Sequence, residues 1–154
     1  MREVVEMEDH TSARQGWMGL LAKAPEGRIA ELLDARGDRP GHDWLRAPEI
    51  GSVMVRGRTG GTGAPFNLGE MTVTRCTLKL ASGEVGHGYV QGRRKACATA
   101  AALVDALMQT ECADAIRRAV LVPLDEEQAA RRATRASKAA ATKVDFFTMV
   151  RGED

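Results

Sequence analysis

The spacing of apolar residues divides the chain into a helical beginning, an extended middle and a helical second half. Between residues 13 and 24 the apolar side chains recur at helical intervals, so they share one face of a helix. Ser12 opens a capping-box pattern, and we therefore expect this helix to begin there, after a flexible leader formed by residues 1–10. A second, shorter helix is predicted between Pro25, which suits a first helical turn, and Gly37, which suits a helix end.

The middle of the chain has the alternation of apolar and polar residues that is typical of strands. Residues 42–58 read as a short strand, a turn that contains Pro48, and a second strand. Residues 70–80 form a long alternating strand, and residues 85–91 return beside it after a tight turn at Ser82-Gly83. We therefore expect an antiparallel sheet of about four strands, arranged as hairpins.

The return strand and the helix that follows it both have a face made of small residues. Gly86 and Gly88 fall on one face of the strand together with Val90. In the helix over residues 93–110 the first half is nearly all small residues, and larger apolar residues follow. Because surfaces without bulky side chains can approach closely, we expect the first half of this helix to pack against the two glycines. The pattern predicts an α+β fold in a single domain over residues 11–154.

The C-terminal part of the chain has more apolar surface than one small core can bury. Residues 114–120 read as a short helix that ends at Pro123, and an alanine-rich helix with a basic face follows it. That helix has no large apolar side chain, and residues 144–154 form an extended tail that holds two of the three phenylalanines. Such surfaces fit docking to a partner, with a solvated alanine helix as the alternative. The predicted partner interface comprises Ala133, Ala136, Ala140, Phe146, Phe147, Met149 and Val150.

A glycine-rich loop, TGGTGAPFNLGE, joins two of the predicted strands. It is not a P-loop, because no lysine lies between Lys23 and Lys79, and the third glycine of a dinucleotide-binding loop is replaced by Phe66. Two interpretations remain open, a structural hairpin bend and an anion-binding nest of backbone N–H groups flanked by arginines. The residues of the second interpretation are Arg56, Arg58, Gly60, Gly61, Thr62, Gly63 and Arg75.

A second basic cluster stands at the predicted start of the helix after the sheet. Arg93, Arg94 and Lys95 follow Gly92 directly. Backbone N–H groups at a helix N-terminus attract anions, whereas cations there oppose the helix dipole. Arg93 and Arg94 are therefore candidates for anion binding, and solvent-exposed charges are the alternative.

Composition limits the classes of function. The 22 Lys and Arg residues nearly balance the 21 Asp and Glu residues, so the total charge gives no support to nucleic-acid binding. The three cysteines are far apart and have no metal-binding spacing, which fits a reducing cytoplasm and predicts no metal. No segment resembles a membrane span or a signal peptide. No acid, base and nucleophile are placed to form a catalytic group with His87, so no catalytic residue is predicted.

The chain resembles the PhnG family, subunits of the bacterial phosphonate C–P lyase core complex. Five segments carry the similarity: RQGWMGLLA (14–22), GGTGAPFNLGEMTVTR (60–75), GYVQGRRK (88–95), ALVDALMQ (102–109) and VDFFTMVRG (144–152). They extend over almost the whole chain and leave out the acidic leader.

The resemblance implies a role inside an assembly. PhnG-like proteins work with PhnH, PhnI and PhnJ in a core complex that holds two copies of each. With PhnH, PhnI and PhnL they support the formation of α-D-ribose 1-methylphosphonate 5-triphosphate from MgATP and methylphosphonate, with displacement of adenine. The iron–sulfur cluster and S-adenosylmethionine belong to PhnJ, so no cofactor is expected in this chain. An obligate non-catalytic subunit docked chiefly on PhnI, a direct share in an active site, and a stand-alone binding domain are the three roles to distinguish.

Overall fold

A computed structural model describes residues 2–37 and 39–143, with side chains from His10 onward. The first helix, α1, covers Arg2–Ala22, and α2 covers Arg28–Arg36. The predicted helix start at Ser12 is therefore wrong, since residues 2–10, expected to form a loose leader, are the first turns of α1. The predicted end of α2 at Gly37 is confirmed, and this glycine has a φ of 132° that suits few other residues.

The sheet among the described residues has three antiparallel strands in the order β1-β2-β3. They cover His42–Arg58, Pro65–Leu80 and Val85–Gln91. The expectation of about four strands is too high by one, because the segment around Pro48 does not separate two strands. The register shifts between Trp44 and Arg46 and again between Arg46 and Glu49, so the chain passes the proline as an irregularity in one long strand.

One face of the sheet packs against α3, which covers Lys95–Leu107. The predicted contact between small surfaces is confirmed. A Cβ atom added to Gly86 would lie 2.0 Å from the carbonyl oxygen of Ala102, and one added to Gly88 would lie 2.0 Å from that of Ala98. These distances are far shorter than any real Cβ contact, so the close approach of β3 and α3 requires both glycines.

A buried carboxylate fastens α1 and β3 to α3. Asp105 is 0% exposed and accepts hydrogen bonds from Arg14 Nε at 3.1 Å and Nη2 at 2.7 Å, and from Trp17 Nε1 at 2.9 Å. Its Oδ2 also accepts the backbone N–H of His87 at 2.8 Å. Arg14 further donates to the carbonyl of Val85 at 3.1 Å. The charge is therefore paired and fully hydrogen-bonded, as a buried carboxylate requires.

Residues 113–141 form one continuous helical segment. A short helix, α4, covers Ala113–Ile116, a π-helical turn covers Arg117–Leu121, and α5 covers Val122–Ala141. The predicted helix end at Pro123 is therefore wrong. The proline lies in the first turn of α5, directly after the π turn, and a widened turn relieves the clash between a proline ring and the preceding carbonyls.

Candidate functional site

The β1–β2 hairpin extends well beyond the rest of the fold. Strand β3 pairs only with Val73–Lys79 of β2, so residues 50–72, here called the outer hairpin, have no third strand beside them. Several of its large apolar side chains are exposed, with Met54 at 53%, Phe66 at 43% and Leu68 at 65%. Large apolar side chains grouped on one projecting element are typical of a surface that binds another molecule.

The exposed apolar residues lie on both faces of the outer hairpin. A Cβ added to Gly57 would lie 3.6 Å from the Phe66 ring and 3.7 Å from Leu68, so these two side chains cover the glycine. Ile50 and Met54 lie on the opposite face by the alternation of the strand. Since both faces hold exposed apolar groups, the outer hairpin fits insertion into a partner better than flat contact with one.

The free edge of β1 adds backbone groups to this surface. Strand β1 pairs with β2 alone, and within the part of the chain that the structure describes no strand covers its other edge. An open edge presents a row of N–H and C=O groups that another chain can pair with. The edge is interrupted by the register shifts near Pro48.

The glycine loop at the hairpin tip closes on itself. Gly60 and Gly61 have φ angles of 59° and 82°, which favour glycine, and Gly63 N–H donates to the carbonyl of Thr59 at 2.8 Å. A Cβ on Gly63 would lie 2.7 Å from that same oxygen. The guanidinium of Arg58 donates to the Gly63 carbonyl at 3.1 Å. The backbone conformation of the loop therefore requires its glycines, whether or not a ligand binds there. Thr62 lies exposed within the loop.

The structure does not bring the three hairpin arginines together. Arg56 and Arg58 share one face near the tip, whereas Arg75 lies on the opposite face of the sheet and contacts Glu49 at 2.7 Å. The hydrogen bond from Arg75 lowers the pKa of Glu49. Glu49 is seven positions from Arg56 along β1, or roughly 23 Å at the rise of a strand. Only Arg56 and Arg58 remain available to one ligand at the tip.

Arg93 and Arg94, at the start of α3, are placed differently from one another. Arg93 is exposed. Arg94 donates to the carbonyl of Ala24 at 3.0 Å and to that of Gln91 at 2.9 Å, and its N–H donates to Thr74 Oγ1 at 3.0 Å. Arg94 therefore ties the end of α1 to the junction of β3 and α3.

Arg94 also lines a cleft that sequence reasoning missed. The cleft has a volume of about 740 Å³ and lies between the turn after α1, the end of β3 and the middle of α5. Its cationic side chains are Lys23, Arg94, Arg131, Arg132 and Arg135, and these five residues define what is here called the basic cleft. The basic face of α5 was visible in the sequence, but its proximity to Lys23 and Arg94 depends on tertiary packing.

The exposed stretch of α5 includes three residues of the predicted interface. All side chains from Ala129 to Lys143 are exposed, so Ala133, Ala136 and Ala140 are not packed against the other described residues. Alanine has the highest helix propensity, which lets this stretch stay helical without a core contact. The other predicted interface residues, Phe146, Phe147, Met149 and Val150, lie outside the described residues.

No metal-binding group of histidine, cysteine and carboxylate side chains converges among the described residues. Cys76 and Cys97 are buried, whereas Cys112 is exposed. Burial raises the pKa of the Cys76 thiol to about 11 from an ordinary 9.0, which makes it a poor nucleophile at neutral pH. His87 Nδ1 lies 3.1 Å from the hydroxyl of Thr77, so the imidazole contacts a hydroxyl, while its backbone N–H donates to Asp105.

None of the described helices combines the length and the apolar character that crossing a membrane requires.

Comparison with known proteins gives two findings. A family model described as phosphonate metabolism protein PhnG matches residues 12–152. The chain is 50% identical over 145 residues to the alpha-D-ribose 1-methylphosphonate 5-triphosphate synthase subunit PhnG of Rhizobium meliloti (strain 1021), a match that covers 92% of this chain and 90% of the relative. The resemblance carried by the five sequence segments is confirmed, and the family match begins after the acidic leader.

Proposed function

Because the chain belongs to the PhnG family of phosphonate metabolism proteins, we propose that it is a subunit of α-D-ribose 1-methylphosphonate 5-triphosphate synthase. The observation that carries the proposal is identity of 50% with a curated subunit across 92% of the chain. At that level of identity the sheet, α3, the outer hairpin and α5 all lie inside the matched length, so the relative supports the whole fold and not one motif.

The proposed role is that of a non-catalytic member of a hetero-oligomeric complex. PhnI is the proposed direct partner, with PhnH, PhnJ and PhnL in the same system and two copies of each core subunit. In this assembly MgATP and methylphosphonate would be the substrates, and the iron–sulfur cluster and S-adenosylmethionine would reside on PhnJ. The exposed outer hairpin supports a partner-dependent role, because an isolated domain gains nothing from apolar side chains on both faces of a projecting ribbon.

The outer hairpin is the proposed docking element, with the exposed alanines of α5 and the tail at 144–154 as further contacts. A few residues, with large aromatic side chains prominent among them, supply most of the affinity at protein interfaces. Phe66 is such a residue, and together with Leu68 it covers Gly57 and forms an exposed apolar group on the outer hairpin. They are therefore the proposed anchor.

The experiment is co-expression of the chain with its candidate partner subunits, followed by affinity capture and sizing. Phe66→Ser with Leu68→Ser should abolish co-purification with PhnI and the synthase activity of the reconstituted system. The matched control is Tyr89→Ser with Val122→Ser, which also removes two exposed apolar side chains but lies outside the outer hairpin. Normal assembly of the first variant, or equal loss in both, would contradict docking through the hairpin.

The tail contributes a separate test of the same role. Phe146→Ala with Phe147→Ala should weaken capture by PhnI while leaving the thermal midpoint of the isolated chain unchanged. A variant that assembles normally would remove the tail from the proposed interface.

A direct share in the active site is the second proposed role, and the available arginines at the hairpin tip favour it. Arg56 has no ion pair among the described residues, and Arg58 binds only a carbonyl of its own loop. Arg56→Ala should raise the KM for phosphonate in the assembled complex if the tip reaches the substrate. An unchanged KM and kcat in a normally assembled complex would leave the hairpin with a docking role alone.

A further inference from the structure

The basic cleft is formed by three parts of the chain that are far apart in sequence. Lys23 lies in the turn that follows α1, and Arg94 lies at the junction of β3 and α3. On α5, Arg135 lies four positions after Arg131 and three after Arg132, so it shares a side of the helix with each of them, and all three line the cleft. The cleft therefore gathers cations from separate elements onto one concave surface.

Most of these cations have no carboxylate partner in the part of the chain that the structure describes. No carboxylate of the described residues lines the cleft. Glu127 is 3.9 Å from Arg131, but it accepts two shorter hydrogen bonds from Arg28, at 2.9 and 2.7 Å. Among the described residues Lys23, Arg132 and Arg135 have no ion pair. Because like charges repel, gathering five cations on one surface has an electrostatic cost that a bound anion would reduce.

Arg94 gives the cleft a fixed cation. Its guanidinium is held by the carbonyls of Ala24 and Gln91, which leaves its positive charge uncompensated while restricting its motion. A cation that is already ordered loses little conformational entropy when a ligand binds. The arginines of α5 lack such restraints and can adapt to the ligand.

The wall of the cleft also holds an unsatisfied polar atom. The side-chain oxygen of Gln128 is buried and has no hydrogen-bond partner among the described residues. Buried polar atoms in native proteins are normally satisfied, by protein groups, ordered water or a ligand. Gln128 is on the same face of α5 as Arg131, Arg132 and Arg135, so a molecule bound to the arginines would be adjacent to it.

We propose that the basic cleft binds a triphosphate group. Five cations match the charge of about −4 to −5 that such a group carries, and arginine pairs with phosphate oxygens through two parallel hydrogen bonds. A volume of about 740 Å³ is within the usual range of small-molecule sites and exceeds what a single phosphate would occupy. Gln128 offers an acceptor to a hydroxyl on the molecule that carries the triphosphate.

This site is additional to the proposed docking through the outer hairpin, and it uses none of the hairpin residues. Binding is a property of the isolated chain, whereas the subunit role is measured by assembly and synthase activity. Either can therefore fail without the other.

The test is calorimetric titration of the purified full chain with sodium tripolyphosphate at low ionic strength, with inorganic phosphate as a second titrant. Tripolyphosphate should bind with a Kd below about 1 mM, and at least roughly ten-fold more tightly than phosphate. Raising the salt concentration should weaken binding, because exposed charges are screened. A parallel titration with ATP distinguishes the source of the group, since tighter binding of ATP assigns the site to a nucleoside triphosphate and equal binding to the phosphate chain alone.

The decisive comparison uses two variants of equal net charge. Arg132→Gln with Arg135→Gln should weaken binding of tripolyphosphate by roughly ten-fold or more, since each arginine loses charge-assisted hydrogen bonds. Arg117→Gln with Arg118→Gln removes two exposed arginines from the π turn, outside the basic cleft, and should leave the Kd within about two-fold. Circular dichroism and the thermal midpoint confirm that both variants fold.

Three outcomes would overturn the proposal. The first is no binding of tripolyphosphate by the unaltered chain at about 1 mM and low salt. The second is equal loss of binding in both double variants, which would indicate attraction to the total charge and not to the cleft. The third is tighter binding of a poly-glutamate peptide than of tripolyphosphate, which would make the cleft a contact for an acidic protein surface.

Discussion

Strand β2 runs through two regions of the molecule that differ in which elements pack against the strand. At one end Leu78 is 0% exposed beneath α3, and ten positions earlier Leu68 is 65% exposed on the outer hairpin. The two leucines have the same chemistry and lie in the same strand. Their different burial comes from β3 and α3, which cover only the last part of β2.

The two edges of the sheet differ in the same way. The edge of β3 is closed by side chains, because Asp105 accepts the N–H of His87 while Arg14 and Gln109 donate to the carbonyl of Val85. The edge of β1 has no strand partner among the described residues. An edge that is blocked by specific side chains contributes to the fold, and one that is left open is available to another chain. The covered end of the hairpin therefore contributes to the stability of the fold, and the open end is the one available to the proposed docking.

The largest expected effect is at the buried carboxylate. Asp105→Ala should lower the free energy of unfolding by roughly 4 kcal/mol, because it leaves Arg14 unpaired and removes the acceptor of Trp17 and His87. Chemical denaturation measures the change. Glu70→Ala, on the outer hairpin, is the control and should give a change within experimental error. If both variants lost a similar free energy of unfolding, the outer hairpin would contribute to stability as much as the packed part of the fold.

The two leucines of β2 give the most direct comparison. Leu78→Ala should cost about 3 kcal/mol through lost burial and the cavity that remains. Leu68→Ala should cost less than about 1 kcal/mol in the isolated chain, because its side chain is already exposed. Urea titration of both variants decides the matter. Equal costs would show that the outer hairpin is packed in solution.

Two glycines allow the same comparison for the backbone, Gly88 beneath α3 and Gly69 on the outer hairpin. Gly88→Ala should destabilise by about 2 kcal/mol or more, since the new Cβ would meet the carbonyl of Ala98 at 2.0 Å and force β3 away from α3. Gly69→Ala has nothing within 4 Å of the new atom and should be neutral or slightly stabilising. Thermal midpoints of the two variants provide the measurement. A neutral Gly88→Ala would refute the close packing of β3 on α3.

The smallest expected effect is a dependence of the free energy of unfolding on pH, caused by the buried Cys76 thiol. The pKa of the Cys76 thiol is raised to about 11 in the folded chain from an ordinary 9.0. Below pH 9 the thiol is protonated in both folded and unfolded chains, so its contribution to stability is fully present there. Between pH 9 and about 11 only the unfolded chain loses the proton, and the free energy of unfolding should fall through this range.

Site-resolved alkylation tests the same thiol. Iodoacetamide at pH 9 should modify the exposed Cys112 quickly and Cys76 slowly, as measured by mass spectrometry. Modification of Cys76 at the rate of Cys112 would mean that the sheet beneath α3 opens readily.

Part of this organisation could be predicted from local sequence. The alternation in β2 and β3 and the glycine face of β3 follow from residue spacing alone, and so did the contact between Gly86, Gly88 and the small residues of α3. The buried role of Asp105 left a weak signal, a single acid in a run of small apolar residues. Its partners Arg14 and Trp17 lie far away in the chain, so no spacing rule could have joined them.

The errors also have physical causes. A capping-box pattern at Ser12 did not start a helix, because the preceding residues continue it. Pro123 did not end one, because the π turn before it accommodates the ring. In both places the residue has the expected local preference for a helix end. The neighbouring turns nevertheless make a continued helix favourable, so the helix does not end there.

Local patterns along the chain predicted most of the helices and strands, their order and the family, because backbone periodicity and residue identity are local properties. Packing in three dimensions determines which half of β2 is buried, how Asp105 is hydrogen-bonded, and which cations share the basic cleft. Burial and electrostatic environment depend on what packs nearby in space. For this chain, those neighbours come from α1, α3 and α5, which no pattern within the strands could specify.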